Sequence, residues 1–181
     1  DVRTADVFAA ATLGGAKAAE MGKLDMADAP PGSPAPRLLR AITSGIPDNS
    51  WDLVLNVAID RPVKQGSTFF IRFYLRCPKS MTGEGFVAVQ FEQNHEPWEK
   101  SQSFQANAGE EWKRFDIPVT AHRDFEAGKS QIGLYLGFPN QTVEIAGLEL
   151  FDYSGTNVRA IDLPRTRMDY RGRDADAAWR K

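Results

Sequence analysis

The residue types that carry most enzyme chemistry are few in this sequence and are poorly spaced for it. There are two histidines, His95 and His122, and one cysteine, Cys77. They lack the spacing of a zinc site, and no Gly-x-Ser-x-Gly sequence is present to hold an esterase nucleophile. Acidic pairs such as Glu92 and Glu96 suit a glycosidase dyad, but a sequence with 24 acidic residues produces such pairs by chance. We therefore predict no catalytic residue in this chain, and we interpret Cys77 as a small buried side chain.

One segment, residues 68–76, indicates sugar recognition instead. Strand parity turns Phe70, Arg72, Tyr74 and Arg76 toward solvent, where small polar residues, Lys and Glu are usual. Flat rings cover the apolar C–H face of a pyranose, and amide, carboxylate and guanidinium groups bond its hydroxyls. These four side chains are therefore predicted to belong to a sugar-binding sheet face. The other predicted ligand-binding residues are Gln90, Glu92, Trp98, Trp112, Tyr135 and Gln141.

The sequence leaves two alternatives open for these aromatic residues. Any of the rings could instead pack beneath a loop or a flanking segment. The parity of Trp51 places it with the core residues, whereas its position after a turn at the edge of a strand also allows ligand contact. Parity favours the core for Trp51.

An apolar residue at every second position dominates residues 37–163, and this is the period of β-strands. The clearest strands are predicted at 51–59, 68–76, 86–92 and 131–138, with weaker ones at 37–43, 101–106, 111–118, 142–151 and 158–162. Helix-like composition is confined to residues 9–19 and 174–181, so no crossover helices separate the strands. We predict an all-β fold, an antiparallel β-sandwich of the jelly-roll type with irregular N- and C-terminal extensions.

Length and charge restrict the class of protein further. With 181 residues, we predict one domain at 1–163, with a proline-rich loop at 27–36, and a linker at 164–181. The net charge of -2 argues against nucleic acid binding. No apolar run approaches the roughly 18 residues that cross a bilayer, so no membrane partner is predicted. A single cysteine excludes an intrachain disulfide and leaves the cellular compartment open.

Residues 51–151 resemble the carbohydrate-binding modules of families 4, 9 and 22, which are jelly-roll modules attached to xylanases. The resemblance rests on Trp51 and Asp52 before a strand, Pro-Val-Lys-Gln-Gly at 62–66, Glu-Trp-Lys-Arg-Phe at 111–115, Leu-Gly-Phe at 136–138 and the segment 141–148. Residues 170–181 separately resemble the joint that leads into a family 10 glycoside hydrolase barrel, the endo-β-1,4-xylanase domain. The resemblance implies a non-catalytic module N-terminal to such a barrel, with the catalytic carboxylates beyond residue 181.

The same resemblance implies partners and a location. It implies a secreted, extracellular bacterial module that binds plant cell-wall polysaccharide, xylan or β-glucan, and that is covalently linked to a catalytic domain. No cofactor is required on this interpretation. A structural Ca²⁺, held by carboxylates and backbone carbonyls, is an expectation from the resemblance, and its ligands match no named positions.

Two other functions stay open beside sugar binding. A docking domain would pack its aromatic and arginine face on the catalytic barrel and bind no sugar. A small lyase or hydrolase in its own right would release sugar from a polymer. Retention of the isolated chain on polysaccharide, together with an assay for released sugar, distinguishes the three functions.

Overall fold

The computed structural model describes residues 11–167, which form two antiparallel sheets packed face to face. In chain order the elements are β1 (Ala11–Gly14), α1 (Ala18–Met21), β2 (Gly22–Asp28), β3 (Arg37–Thr43), β4 (Val54–Ile59), β5 (Thr68–Lys79), β6 (Gly85–Gln93), β7 (Lys100–Ala108), β8 (Lys113–Thr120), β9 (Ser130–Tyr135) and β10 (Gln141–Asp152). The front sheet has the strand order β1-β4-β9-β6-β7, and the back sheet has the order β2-β3-β10-β5-β8. The prediction of an all-β antiparallel sandwich is confirmed.

The core lies between the sheets and is built from strand residues of inward parity. On β5, Phe69, Ile71, Phe73 and Leu75 have no exposed surface. The ring of Phe69 meets the ring of Phe91 on the front sheet, with 5.1 Å between their centroids. Side chains alternate along a strand. The residues between the inward-facing positions therefore lie on the outer faces of the two sheets.

The N-terminal part of the described chain forms strands, although its composition is helix-like. Residues 11–14 form β1, which pairs with residues 54–57 of β4, and only Ala18–Met21 is helical. The next segment forms β2 on β3, a strand that the sequence pattern does not predict. The loop predicted at 27–36 begins two residues later, because Ala27 and Asp28 belong to β2. At both places a sheet edge offers backbone hydrogen-bond partners that outweigh a weak local preference.

Two other predictions of local structure are wrong. Trp51 lies in a 3-10 turn, Ser50–Asp52, and its side chain is 57% exposed instead of buried in the core. The weak strand predicted at 158–162 is a loop that ends in a short 3-10 turn, Ala160–Asp162. Both segments lie outside the strand ladders, where a period of two has no meaning. The helix-like segment at 174–181 lies outside the described residues.

Thr166, which follows the predicted domain boundary at residue 163, contacts the back sheet. Its N–H donates to the Asp116 carbonyl at 2.8 Å, and its hydroxyl accepts from the Asp116 N–H at 2.9 Å. The division into a domain at 1–163 and a linker at 164–181 stays a prediction. Within residues 11–167, no helix has the length and apolar character needed to span a membrane.

Candidate functional site

A cleft of about 690 Å³ opens on the outer face of the front sheet. Its floor follows from strand register: Asn56 on β4, Gly133 on β9 and Gln90 on β6 lie side by side. Polar residues collect here because their parity is opposite to that of the core residues on the same strands. The other floor residues are Val54, Gln131, Glu92 and Tyr135.

A fully buried carboxylate, Glu92, ties this floor together. It accepts hydrogen bonds from the Tyr135 hydroxyl at 2.8 Å and the Gln131 amide at 3.0 Å, and it forms an ion pair with Lys100 at 3.0 Å. A buried charge is tolerated when it is paired and hydrogen-bonded in this way. Since three donors already occupy the carboxylate, its role is to orient Lys100 and Tyr135.

This environment changes the pKa of the Tyr135 hydroxyl. Burial, together with the hydrogen bond to Glu92 and the negative charge of that carboxylate, raises the pKa of Tyr135 above its ordinary value. The phenol therefore stays protonated at neutral pH and remains a hydrogen-bond donor to Glu92.

Gln90 presents its amide nitrogen to the cleft. The Ser103 hydroxyl, on the next strand, donates to Gln90 Oε1. Among the described residues, no acceptor takes up Gln90 Nε2. The half-buried side chain of Asn56 adds a second amide to the floor. The floor therefore offers amide groups that match the hydroxyls of a ligand.

Trp51 stands at one end of the cleft and is held there by its turn. The Asn49 N–H donates to the Asp52 carboxylate at 2.9 Å, and the Gly137 N–H donates to the Ser50 carbonyl at 2.9 Å. A Cβ atom at position 137 would lie 2.3 Å from the Asn49 carbonyl oxygen, so only glycine allows this close approach. The turn is thus pressed against the chain after β9, with the indole left exposed.

Trp98 stands at the other end, in the loop between β6 and β7. Its backbone has a φ of 56°, in the left-handed region, and its side chain is 45% exposed. Such a conformation costs about 1–3 kcal/mol for a non-glycine residue and recurs at ligand-binding sites. Trp51 precedes β4 and Trp98 follows β6. Since both strands pair antiparallel with β9, the two indoles stand at opposite ends of the strand direction.

The ten residues predicted to bind ligand do not share one surface. Gln90, Glu92, Trp98 and Tyr135 line the cleft of the front sheet. The four β5 candidates lie on the outer face of the back sheet, and Trp112 directly precedes β8 of that sheet. Parity assigns a residue to the outer side of its own sheet but does not tell which of the two sheets that is. The β5 candidates are Phe70, Arg72, Tyr74 and Arg76.

The two predicted arginines of β5 are engaged in ion pairs. Arg72 pairs with Asp116 at 3.0 Å, and Arg76 pairs with the buried carboxylate of Glu144 at 2.6 Å. The Arg76 guanidinium also lies over the Trp112 ring, 4.8 Å from its centroid. Partly buried pairs of this kind stabilise the sheet and hold each guanidinium group against a carboxylate. Arg40 and Arg114 join the same two clusters.

Two predicted ligand residues lie outside the cleft and do not reach the surface. Phe70 is 2% exposed and packs against Phe151, with 5.6 Å between ring centroids. For Phe70 the packing alternative therefore describes the structure. Gln141 is buried, and its amide both donates to the Phe86 carbonyl and accepts from the Phe86 N–H, each at 2.8 Å. Its hydrogen-bonding groups thus link two strands.

Several cleft residues are missing from the predicted set, among them Trp51, Asn56, Lys100 and Gln131. For Asn56 and Gln131 the signal exists, because each is a polar residue of outward parity on a strong strand. Trp51 is misassigned because the turn Ser50–Asp52 breaks the period just before β4. Lys100 lies at a register shift in the pairing of β6 with β7, and nothing in the sequence indicates that it belongs to the cleft.

The side chains of the described residues do not identify a ligand set for the expected calcium ion. Within the described part of the chain, no three His, Cys, Asp or Glu side chains form a group that could hold a metal. Calcium stays a prediction.

Comparison with known proteins relates the chain to others by fold. No family model and no curated protein match the sequence. A solved CBM4 structure matches with a TM-score of 0.59 and 18% identity, covering 78% of this chain and 86% of that one. An arabinose-bound GH51 α-L-arabinofuranosidase matches with a TM-score of 0.62 and 16% identity, covering 90% of this chain and 27% of that one.

A third similar structure contains the CBM22-1 and GH10 modules of the Clostridium thermocellum endo-1,4-β-D-xylanase 10B, complexed with xylohexaose. It matches with a TM-score of 0.59 and 10% identity, covering 87% of this chain and 29% of that one. At these identities the likeness shows the fold. The chain has the β-sandwich fold of carbohydrate-binding modules, so the resemblance seen in the sequence is confirmed at that level.

Proposed function

We propose that this chain is a non-catalytic carbohydrate-binding module whose front-sheet cleft holds one chain of a plant cell-wall polysaccharide, xylan or β-glucan. The observation that carries the proposal is the presence of two exposed indoles, Trp51 and Trp98, in one cleft with a floor of amide side chains. Indole faces cover the C–H face of a pyranose, and amides bond its hydroxyls. A protein that shares this fold over 29% of its chain, and that also contains a GH10 module, is complexed with xylohexaose, which supports the same ligand class.

The arrangement suits an extended polymer. With one ring at each end, a linear glycan would cross the floor and present its hydroxyls to Gln90 and Asn56. Exposed stacking and wet hydrogen bonds give a limited surplus over the cost of association, so the affinity of the isolated module would be modest.

Such a module serves a linked enzyme. We propose that it raises the local concentration of a covalently attached catalytic domain on its polymer. Because plant cell-wall polysaccharides lie outside the bacterial cell, the proposal includes secretion. A structural calcium ion is also part of the proposal. If the ion is bound, chelation with EDTA should lower the melting temperature of the protein.

Affinity electrophoresis tests the proposal. The wild-type chain should be retarded in gels containing soluble xylan or β-glucan, and Trp98→Ala should be retarded about tenfold less strongly, as expected for loss of an aromatic anchor. Trp112→Ala, on the back sheet, is the matched control and should behave as wild type. Unretarded wild-type protein in every gel would overturn the proposal, and release of reducing sugar by the pure chain would contradict its non-catalytic part.

A further inference from the structure

The loop that carries Trp98 connects β6 to β7 and covers residues 94–99. Its backbone is strained at Trp98, whose φ of 56° lies in the left-handed region that favours glycine. Strain of this kind persists only where surrounding contacts hold the chain in place, and it recurs at ligand-binding sites. The contacts that hold the loop are therefore part of what places the indole at the cleft.

Both backbone polar groups of Trp98 have partners. Its N–H donates to the His95 carbonyl at 2.8 Å, which closes a tight turn within the loop. Its carbonyl accepts from the Lys100 ammonium at 3.1 Å. The first contact is local, whereas the second comes from a side chain at the start of β7. The position of the Trp98 carbonyl therefore depends on where the Lys100 ammonium is fixed.

The floor of the cleft fixes the Lys100 ammonium. This group lies 3.0 Å from the buried Glu92 carboxylate and over the Tyr135 ring, 5.8 Å from its centroid. Charge-assisted hydrogen bonds are about twice as strong as neutral ones, and Glu92 is itself held by the Tyr135 hydroxyl. Lys100 therefore ties the strained backbone of Trp98 to the bonded network of the floor.

A second tie reaches the loop from outside the cleft. Glu99, the residue after Trp98, forms an ion pair with Arg123, which lies in the connection between β8 and β9. Neither Glu99 nor Arg123 lines the cleft. The hydrogen bond from Arg123 is the main cause that lowers the pKa of Glu99, so this carboxylate is charged at neutral pH. His122, 3.8 Å from the same carboxylate, is a weaker partner.

The same connection also holds the beginning of the loop. The Asn94 N–H donates to the Lys129 carbonyl at 3.2 Å, and the Asn94 side-chain amide donates to the Gly128 carbonyl at 2.7 Å. The loop is thus anchored at residue 94 by backbone carbonyls and at residue 99 by a charge. Since the anchor at residue 99 stands directly beside Trp98, it acts on the indole more closely than the anchor at residue 94.

We propose that Lys100 and Arg123 are positioning residues for sugar binding, whose charged groups hold the strained loop, and with it the Trp98 indole, at the end of the cleft. Arg123 does so without touching the ligand. The inference rests on the proposed function and deepens it, because it takes Trp98 to be a ring on which the polymer stacks. A substitution outside the cleft should therefore weaken the retention of an uncharged polysaccharide.

Arg123→Gln tests the inference by affinity electrophoresis and by NMR of the ¹⁵N-labelled protein without ligand. An exposed ion pair contributes modestly, so retention on xylan or β-glucan should weaken about two- to fivefold. The indole N–H signal of Trp98 should move, while that of Trp51 stays in place. The reversed pair, Glu99→Arg with Arg123→Glu, should restore retention. Arg159→Gln, which breaks an exposed ion pair in the loop after β10, is the matched control and should change neither readout.

Lys100→Met tests the other tie. It removes the ammonium group and keeps an unbranched side chain, so the Trp98 indole signal should move in the ligand-free protein. Because Lys100 also lines the cleft, this signal and not the affinity is the readout. If Lys100→Met does not fold with Glu92 left unpaired, Glu92→Gln with Lys100→Met removes both charges and keeps the test valid.

The outcomes separate this inference from the proposed function. Wild-type retention of Arg123→Gln would overturn the inference and leave polysaccharide binding intact. Weakened retention that the reversed pair does not restore would also overturn it, because Arg123 would then act through another contact. If no polysaccharide retains the wild-type chain, the proposed function fails. A moved Trp98 signal in ligand-free Arg123→Gln and Lys100→Met would in that case still support the placement of the indole by these two charges.

Discussion

The hydroxyl of Tyr135 donates a hydrogen bond to the carboxylate of Glu92, with 2.8 Å between Oη and Oε2. The two residues lie on neighbouring strands, and Gln131 and Lys100 bond the same carboxylate. One buried charge therefore fixes a ring, an amide and an ammonium group in the floor of the cleft. Because a fully bonded polar network is rigid, the stability of the sandwich and the shape of the cleft are coupled at this point.

Tyr135→Phe tests this bond through pH. The folded state raises the pKa of Tyr135 above its ordinary value of 10.0, so it holds the proton more tightly than the unfolded chain does. The stabilisation is complete below pH 10 and is lost as the pH rises from there toward the folded-state pKa. At neutral pH, Tyr135→Phe should lower the free energy of unfolding by about 1.5–3 kcal/mol.

The measurement is urea unfolding of both proteins from neutral pH to above pH 10. The difference between wild type and Tyr135→Phe should shrink at the alkaline end. A difference that stays constant across the series would contradict a raised pKa for this residue.

Glu92→Ala should be among the more destabilising single substitutions in the front sheet. It leaves the buried Tyr135 hydroxyl and Gln131 amide without their acceptor, and each unsatisfied buried donor costs about 1–3 kcal/mol. Urea unfolding measures the loss, with Glu110→Ala, at an exposed site between β7 and β8, as the control. Equal stability of the two variants would show that the network contributes nothing to the fold.

Gly137→Ala should act on binding through the position of Trp51. The new methyl group would lie 2.3 Å from the Asn49 carbonyl oxygen and push the turn that carries the indole. Overpacking of this kind costs about 1–3 kcal/mol, and retention on polysaccharide should fall as well. The matched control is Gly109→Ala, whose added carbon would come no closer than 3.5 Å to a neighbouring atom. Full retention of Gly137→Ala would mean that the turn does not set the position of Trp51 in the complex.

Substitutions on the back sheet separate the two outer faces. Phe70→Ala should cost about 3–5 kcal/mol of stability, since Phe70 is buried against Phe151, and should not change polysaccharide affinity. Tyr74→Ala, on the same outer face, should also keep full retention in affinity electrophoresis. Weaker retention of Tyr74→Ala would place the ligand on the back sheet and refute the cleft.

The fold could be predicted from the sequence because its strands bury a continuous set of alternate residues. Phe69, Ile71, Phe73 and Leu75 give this pattern without interruption on β5, and the structure buries all four. The pattern is weak in β1 and β2, where strand formation depends on the edges of β4 and β3. Such tertiary pairing leaves no local signal in a short segment.

The site could be predicted only in part, for a different reason. Parity places Tyr74 and Tyr135 correctly on the outer sides of their sheets, but it does not reveal that the two outer sides face in opposite directions. The exposure of Trp51 depends on a turn held by Gly137, which lies far along the chain. Assigning residues to one cleft therefore requires the strand order of both sheets.

The most direct test of the central claim is a titration of ¹⁵N-labelled protein with xylo-oligosaccharide, followed through the tryptophan indole N–H signals. Single Trp→Phe variants assign the signals of Trp51, Trp98 and Trp112. We predict that the Trp51 and Trp98 signals shift together with one dissociation constant, while the Trp112 signal, beneath the Arg76 guanidinium, stays in place. A shift at Trp112 with Trp51 and Trp98 unmoved would contradict the assignment of the ligand to the front-sheet cleft.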